Sequence, residues 1–249
     1  MTPSGTRRSK TAEMFVRHNG PLYKQEAPDA EVGLPRCKHE CMLRAVLWDE
    51  AFAEGDEQRS WYEQHPAQSL RAIERVVPPG PAPIIDAGAG SSRLCDALLA
   101  AGYTDVTALD ISETALGLAR RRLGANAERI IWIAADLLQW RPPRQYAVWH
   151  DRAVLHFFVD VDDRRAYSET LRAALAPGGY AIIATFAPDG PEYCSGLPVR
   201  RSSVAEILDV LGDEFTVVAT SVEIHTTPSG GAQPFTWLIA RRRSASSAA

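Results

Sequence analysis

The sequence has few cysteines, no long apolar run and no excess of basic charge. Four cysteines among 249 residues are too few for a disulfide scaffold and favour a reducing cytosol. No apolar run reaches the roughly 18 residues typical of a membrane span, and the start MTPSGTRRSK is not followed by the apolar stretch of a secretory signal. With a net charge of -4, we expect a cytoplasmic protein with no nucleic-acid or membrane partner.

The motif Cys37-Lys38-His39-Glu40-Cys41 resembles half of a metal site. Structural zinc sites usually pair two such half-sites, and the other two cysteines lie far along the chain. We therefore predict no metal, and we expect the two thiols to lie four residues apart on a helix or in a mobile arm.

The chain divides by composition into a flexible arm at 1–36, a helical lid segment at 37–80, a main domain at 81–243 and a disordered tail at 244–249. Near-helical apolar spacing predicts two lid helices, at 41–52 and 66–77. In the main domain, apolar strands alternate with helices, which predicts a parallel sheet covered on both faces. The predicted strands are 83–87, 106–110, 130–134, 146–150 and 180–186, the predicted helices are 92–101, 112–123, 163–175 and 204–211, and an antiparallel pair at 215–222 and 234–240 ends the domain.

A glycine-rich turn follows the first of these strands. The strand ends at Asp86 and Ala87, and Gly88-Ala89-Gly90-Ser91 leads into a helix. Glycine permits a tight turn and a close approach of a ligand to the backbone. Because ligands of open α/β sheets bind at the carboxyl ends of the strands, this turn is a candidate binding site, although Gly-x-Gly alone is weak evidence.

Carboxylates end the next two strands as well. Asp110 is placed to accept both hydroxyl hydrogens of a ribose. Asp136, with apolar neighbours, is placed to accept a hydrogen bond from an adenine amino group, the alternative being that it only caps a turn. A nicotinamide or flavin enzyme uses a similar layout, but its fingerprint needs a third Gly or Ala where this chain has Arg93. A nucleoside without a pyrophosphate therefore fits better.

With these motifs in place, the sequence resembles the class I S-adenosylmethionine-dependent methyltransferases. The matching segments are DAGAG at 86–90, LDIS at 109–112, AADL at 134–137, WHDR at 149–152 and LAPGGY at 175–180. The resemblance implies a Rossmann-like, mostly parallel seven-stranded sheet with an antiparallel last strand. It also implies that S-adenosylmethionine is bound by Asp86, Gly88, Ala89, Gly90, Ser91, Asp110, Ile111, Ala135, Asp136 and Leu137.

A narrower likeness is to the thiopurine-methyltransferase-like and citrate-synthase-lysine-methyltransferase-like branch. It depends on WDE at 48–50, SWYEQHP at 60–66 and WHDRAVLHF at 149–157. In that branch the segment before the sheet folds over the cofactor, which places Trp61 near the sulfonium or the acceptor. The alternative is that Trp61, like Trp48, packs the lid helices on the sheet.

Four polar residues, His150, Asp151, Arg152 and His156, follow the fourth predicted strand and are the candidate catalytic residues. A helical turn starting near Arg152 would put His156 on the same face; the alternative for His156 is a core histidine. Asp151 is predicted to contact the cofactor or the acceptor. Arg152 is predicted to steer an anionic acceptor or to pair with Asp151.

The acceptor is expected to be a small molecule methylated on O, N or S, and a protein lysine is the alternative. Cys194, His225 and Gln233 are predicted to line its pocket, although Cys194 also fits an ordinary polar loop. Two rival functions stay open, namely a nicotinamide-dependent oxidoreductase and an inert nucleoside-binding module. The sequence predicts no oligomeric state.

Overall fold

The computed structural model describes residues 36–53, 55 and 57–244, and for residues 36–41 it describes the backbone alone. The predicted arm therefore lies outside the described residues except for Arg36, as does the tail except for Ser244. Cys37 and Cys41 fall within the first helix, but their side chains lie outside the described part. No helix in the described ranges is both long and apolar enough to cross a bilayer.

The main sheet has seven strands in the order β3-β2-β1-β4-β5-β9-β8. The first five strands in the chain run parallel to one another, and β9 lies antiparallel between β5 and β8. This confirms the predicted seven-stranded, mostly parallel sheet with an antiparallel last strand. The strands are β1 (Ile84–Ala87), β2 (Val106–Asp110), β3 (Ile130–Ala134), β4 (Tyr146–Arg152), β5 (Leu175–Phe186), β8 (Phe215–Thr226) and β9 (Ala232–Arg242), with a separate two-stranded ribbon of β6 (Tyr193–Cys194) and β7 (Leu197–Pro198).

Six α-helices accompany the strands in the described ranges. They are α1 (Arg36–Ala53), α2 (Ala67–Glu74), α3 (Leu94–Ala100), α4 (Glu113–Leu123), α5 (Val161–Ala174) and α6 (Val204–Leu211). Short 3-10 turns at Gly124–Arg129 and Leu155–Phe157 complete the set. Apolar side chains of the central strands are buried on both faces, because successive residues point to opposite sides and helices cover each side.

Within the parallel part of the sheet, two predicted strand boundaries need correction. Strand β4 runs two residues beyond the predicted end and includes Asp151 and Arg152. Strand β5 begins at Leu175 rather than at residue 180, because Leu175 already pairs with Tyr146. Residues 176–179 form an irregularity in the register of that pair, and Gly178 has a φ of 81°.

The helix ends follow their local sequence. The Ser112 side chain accepts a hydrogen bond from the amide of Ala115, as predicted for the cap of α4. Ser203 and Glu206 form a reciprocal capping box at the start of α6. These caps fix where the helices leave the carboxyl edge of the sheet, which is where the candidate site lies.

Candidate functional site

A cavity of about 490 Å³ opens at the carboxyl ends of the parallel strands, beneath α1 and the segment 61–66. This volume lies in the range of small-molecule pockets, roughly 300–1,000 Å³. All eleven predicted cofactor residues line it, including those from the ends of β1, β2 and β3. They are Trp61, Asp86, Gly88, Ala89, Gly90, Ser91, Asp110, Ile111, Ala135, Asp136 and Leu137.

The turn after β1 depends on its two glycines. Gly88 and Gly90 have φ values of 75° and 54°, which side chains rarely allow. A Cβ on Gly88 would lie 2.0 Å from a methyl carbon of Val154, and one on Gly90 would lie 3.2 Å from the Phe52 ring. The backbone therefore passes close to its neighbours here, and larger residues would fill the space at the cavity wall.

Asp110 links the end of β2 to this turn. One carboxylate oxygen accepts from the Gly90 amide at 2.7 Å and the other from the Ser112 amide at 2.8 Å. Burial raises the pKa of Asp110 to about 6, although the two amide hydrogen bonds oppose that rise. A carboxylate oxygen can accept more than one hydrogen bond, so Asp110 retains acceptor capacity towards the cavity.

Asp136, after β3, has one oxygen without a hydrogen bond. Its Oδ1 accepts from the Leu138 amide at 2.9 Å, whereas the buried Oδ2 has no hydrogen-bond partner among the residues that the structure describes. The Arg44 guanidinium approaches Oδ2 only to 3.9 Å. An acceptor left unsatisfied in this way is costly, and it fits the amino group of an adenine.

The four predicted catalytic residues separate into two pairs. His150 and Arg152 line the cavity, whereas Asp151 and His156 do not. Residues 150 and 152 share one face of β4 and residue 151 faces the other way, because side chains alternate along a strand. The predicted end of the fourth strand at His150 was therefore wrong, because the strand includes Asp151 and Arg152.

Asp151 has a structural environment on the far side of β4. Its carboxylate accepts from the Tyr167 hydroxyl at 2.7 Å and from the amides of Val154 and Leu155. Burial raises its pKa to about 6 against these hydrogen bonds. It neither contacts the cavity nor pairs with Arg152, so the predicted role in ligand contact is corrected to anchoring the chain after β4.

His156 lies in the 3-10 turn after β4, not on a helix that begins at Arg152. Its ring packs against the rings of Phe157 and Phe186, at centroid distances of 4.4 and 4.7 Å. Burial lowers its pKa to about 3, so the ring is a neutral core histidine. The alternative that the sequence left open is the one that the structure favours.

Arg152 pairs with the lid segment instead of with Asp151. Its guanidinium donates to the Glu63 carboxylate at 3.1 Å and to the Trp61 carbonyl at 3.3 Å. Burial alone would raise the pKa of Glu63, but the hydrogen bond from His225 and the charge of Arg152 hold that pKa below its ordinary value. Glu63 is thus an anion that binds two elements of the sheet.

His225 of β8 holds the same segment from the other side. Its Nε2 lies 2.8 Å from the Ser60 carbonyl, and its Nδ1 lies 3.5 Å from Glu63. His225 and Gln233 do not line the cavity, contrary to prediction, whereas Cys194 does. His225 therefore acts on the cavity indirectly, by fixing the segment that covers it.

The cover of the cavity is aromatic. Trp48, Phe52, Trp61 and Phe157 meet mostly edge to face, with Trp48 and Phe157 at a centroid distance of 5.0 Å. All four line the cavity. The sequence assigned Trp48 to packing and did not indicate Phe52, Phe157 or Glu63 as site residues. Trp48, Glu63 and Phe157 nevertheless lie in the segments 48–50, 60–66 and 149–157 that carry the narrower likeness.

Helix α1 is joined to the sheet through Asp49. The Asp49 carboxylate accepts from the Ser112 hydroxyl at 2.7 Å and from the Thr114 amide at 3.0 Å. These donors lie at the first turn of α4, where a negative charge is favourable. Within the described side chains, no group of three or more metal-binding residues comes together.

Comparison with known proteins gives a domain and a fold. The sequence has no significant match among curated proteins, but residues 84–179 match a family described as a methyltransferase domain. A 1,6-didemethyltoxoflavin-N1-methyltransferase from Burkholderia thailandensis, whose structure holds its acceptor and S-adenosylhomocysteine, is 22% identical over 87% of this chain and 93% of its own, with a TM-score of 0.61.

Two further solved structures share the fold. An S-adenosylmethionine-dependent methyltransferase from Anabaena variabilis is 16% identical over 89% of this chain and 99% of its own, with a TM-score of 0.64. A glycopeptide N-methyltransferase in complex with sinefungin is 19% identical over 73% and 95%, with a TM-score of 0.56. Residues 84–179 therefore match a methyltransferase domain in sequence, and the sheet that contains them has the fold seen in S-adenosylmethionine-dependent methyltransferases.

Proposed function

We propose that the chain is an S-adenosylmethionine-dependent enzyme that transfers a methyl group, by in-line displacement, to an O, N or S atom of a small molecule. The observation that carries this proposal is the cavity itself. One wall consists of the strand ends to which the sequence assigns the cofactor, and the other consists of the aromatic cover.

The cofactor wall fits a nucleoside with a charged amino-acid tail. In this proposal Asp110 accepts hydrogen bonds from the ribose hydroxyls. The Oδ2 of Asp136, which has no partner among the described residues, accepts one from the adenine amino group. The turn from Gly88 to Ser91 offers backbone to the methionine end. When bound, the cofactor supplies a methyl carbon activated by a positive sulfur.

The protein's own part is alignment and the exclusion of water. Holding two reactants in line contributes up to ~7–11 kcal/mol to the barrier reduction. Trp61, in the segment that likeness to the narrower branch places over the cofactor, offers a π face to a cation, an interaction worth roughly 0.5–2 kcal/mol. Hydrogen bonds from Arg152 and His225 hold the segment from Ser60 to Glu63 in place over the cavity.

The size and cover of the cavity favour a small acceptor. The aromatic side chains of the cover suit a flat or apolar molecule, and the Burkholderia relative acts on a small heterocycle. A protein lysine is the second candidate because the narrower branch contains both kinds of enzyme, and it is an outcome of the test below.

The test uses S-adenosylmethionine labelled in its methyl group. Purified protein is incubated with a cell extract divided into a desalted metabolite fraction and a protein fraction, with Asp110→Ala, for which we expect weaker cofactor binding, as the matched control. We expect wild-type-dependent label in the metabolite fraction. Label in the protein fraction alone would replace the small-molecule acceptor with a protein side chain.

A further inference from the structure

His150 and Asp86 form a buried pair on neighbouring strands. Asp86 of β1 and His150 of β4 are register partners, so their side chains lie on the same face. The His150 Nδ1 lies 2.7 Å from the Asp86 Oδ1, and the two side chains are 3% and 5% exposed. Both line the cavity.

The contact fixes which nitrogen carries the hydrogen. A carboxylate oxygen can only accept, so Nδ1 must donate to Asp86. In a neutral imidazole the lone pair then belongs to Nε2. The Nε2 atom is buried and has no hydrogen-bond partner among the described residues. An unsatisfied acceptor of this kind is costly, which points to a ligand hydrogen as its partner.

The other ionisable groups nearby have fixed partners. Arg152 forms an ion pair with Glu63, which also contacts His225. The Tyr167 hydroxyl donates to Asp151 on the other face of β4. His156, the other predicted catalytic histidine, lies outside the cavity. Among these ionisable groups around the end of β4, His150 is therefore the one that lines the cavity with an unpartnered atom able to take up a proton.

We propose that His150 accepts the proton of the methyl acceptor, and that Asp86 is a positioning residue which holds the imidazole in the required tautomer. This rests on the proposed function and narrows its substrate class, since the acceptor must carry a hydrogen on the atom that is methylated. Hydroxyls, N–H groups and thiols qualify, whereas tertiary amines and thioethers do not.

The step balances without another reactant. The acceptor's bond to hydrogen breaks and the proton goes to Nε2, giving an imidazolium that faces the Asp86 carboxylate. The electron pair left on the acceptor forms the bond to the methyl carbon, and the pair of the broken carbon–sulfur bond stays on sulfur. Asp86 is thereby moved from the predicted cofactor contacts to the orientation of the base.

The tautomer can be measured without knowing the acceptor. Nitrogen-15 NMR of the full chain labelled at histidine, at neutral pH, separates the two neutral tautomers and the imidazolium. His150→Gln assigns the signal, and His65→Gln, which changes an exposed histidine, is the matched control. We expect the Nδ1–H tautomer in the wild type, and a loss of that preference in Asp86→Asn. An Nε2–H tautomer or an imidazolium would overturn the proposal.

Turnover separates a base from a structural residue. The probe is the metabolite fraction of the labelling test, with calorimetric binding of S-adenosylhomocysteine in parallel. We expect His150→Gln to lower the labelling rate by about 10²-fold or more with unchanged affinity for S-adenosylhomocysteine, and Asp86→Asn to lower it less. Arg165→Gln, which changes an exposed side chain of α5 that does not line the cavity, should leave the rate intact. Equal rates in His150→Gln and the wild type contradict the base, whereas absence of label even with the wild type contradicts the proposed function.

Discussion

The two walls of the cavity are built in different ways. The sheet wall consists of backbone turns and carboxylates whose positions follow from the parallel register of β1, β2 and β3. The cover consists of aromatic side chains on α1 and on the segment 61–66, joined to the sheet by a few charged contacts. These are the contacts of Asp49, Glu63 and His225.

This difference implies a division of labour. Groups fixed by neighbouring strands cannot move without breaking the sheet, so the sheet wall is suited to holding a cofactor in one place. The cover can be released by breaking a few polar contacts. We therefore expect substitutions in the cover to alter the closure of the cavity more than the affinity for the cofactor.

Gly88→Ala should damage the sheet wall most. It forces a side chain into a φ of 75° and within 2.0 Å of Val154, and backbone strain alone costs about 1–3 kcal/mol. We expect lower unfolding free energy in urea and loss of S-adenosylhomocysteine binding. The matched control is Gly124→Ala, with a φ of 55° and nothing within 4 Å of the added Cβ. Equal binding by both variants would show that the turn does not need its close approach.

Asp110→Ala should weaken S-adenosylhomocysteine binding by ~1–3 kcal/mol, the cost of losing hydrogen bonds to a charged group. Calorimetry measures this directly. Asp105→Ala is the control, because Asp105 precedes the other end of β2 and pairs with Arg144. Unchanged affinity in a folded Asp110→Ala protein would remove this residue from the site.

Asp49→Ala should loosen the cover while leaving the sheet wall intact. The variant loses the acceptor for two donors at the start of α4, and lost caps cost about 0.5–2 kcal/mol. Hydrogen exchange should rise in α1 with little change in β1 and β2. Asp49→Asn keeps an acceptor oxygen, so its exchange rate in α1 should lie between those of the wild type and Asp49→Ala. Faster exchange throughout the sheet would refute the independence of the cover.

The pKa of Asp110, about 6 because of burial, predicts a smaller effect with a defined sign. As pH falls through 6, the carboxylate takes up a proton and loses acceptor capacity, so S-adenosylhomocysteine affinity should decrease. The stability of the fold responds in the opposite direction, because the folded state holds this proton more tightly than the unfolded state does. The contribution of Asp110 to stability therefore increases as the pH falls from 6 to the ordinary pKa of about 4. Asp110→Asn should lack both trends, and an identical pH dependence in that variant would assign them to other groups.

The sheet wall could be predicted from sequence because its signals are local. A buried strand, a carboxylate at its end and a glycine turn lie within a few residues of one another, as at Asp86 to Gly90 and at Asp110. Parallel pairing then brings these ends together without further information. The antiparallel pair that ends the domain was predicted from two adjacent strand-like segments, whereas the order of the strands was not predicted.

The placement of the candidate catalytic residues was predicted less well, because it depends on a strand boundary. The predicted end of β4 at His150 did not say on which face of the sheet Asp151 and Arg152 lie. The strand extends to Arg152, and the Asp151 side chain therefore points away from the cavity. The contacts of Glu63 with Arg152 and His225 join residues far apart in the chain, and no local pattern indicates such pairs.

The most direct test of the central claim is calorimetric titration of the purified chain with S-adenosylhomocysteine, with NAD titrated in parallel. The account predicts binding of S-adenosylhomocysteine, weakened by Asp110→Ala but not by Asp105→Ala, and no binding of NAD. Binding of NAD alone would contradict the proposed function while leaving the fold intact.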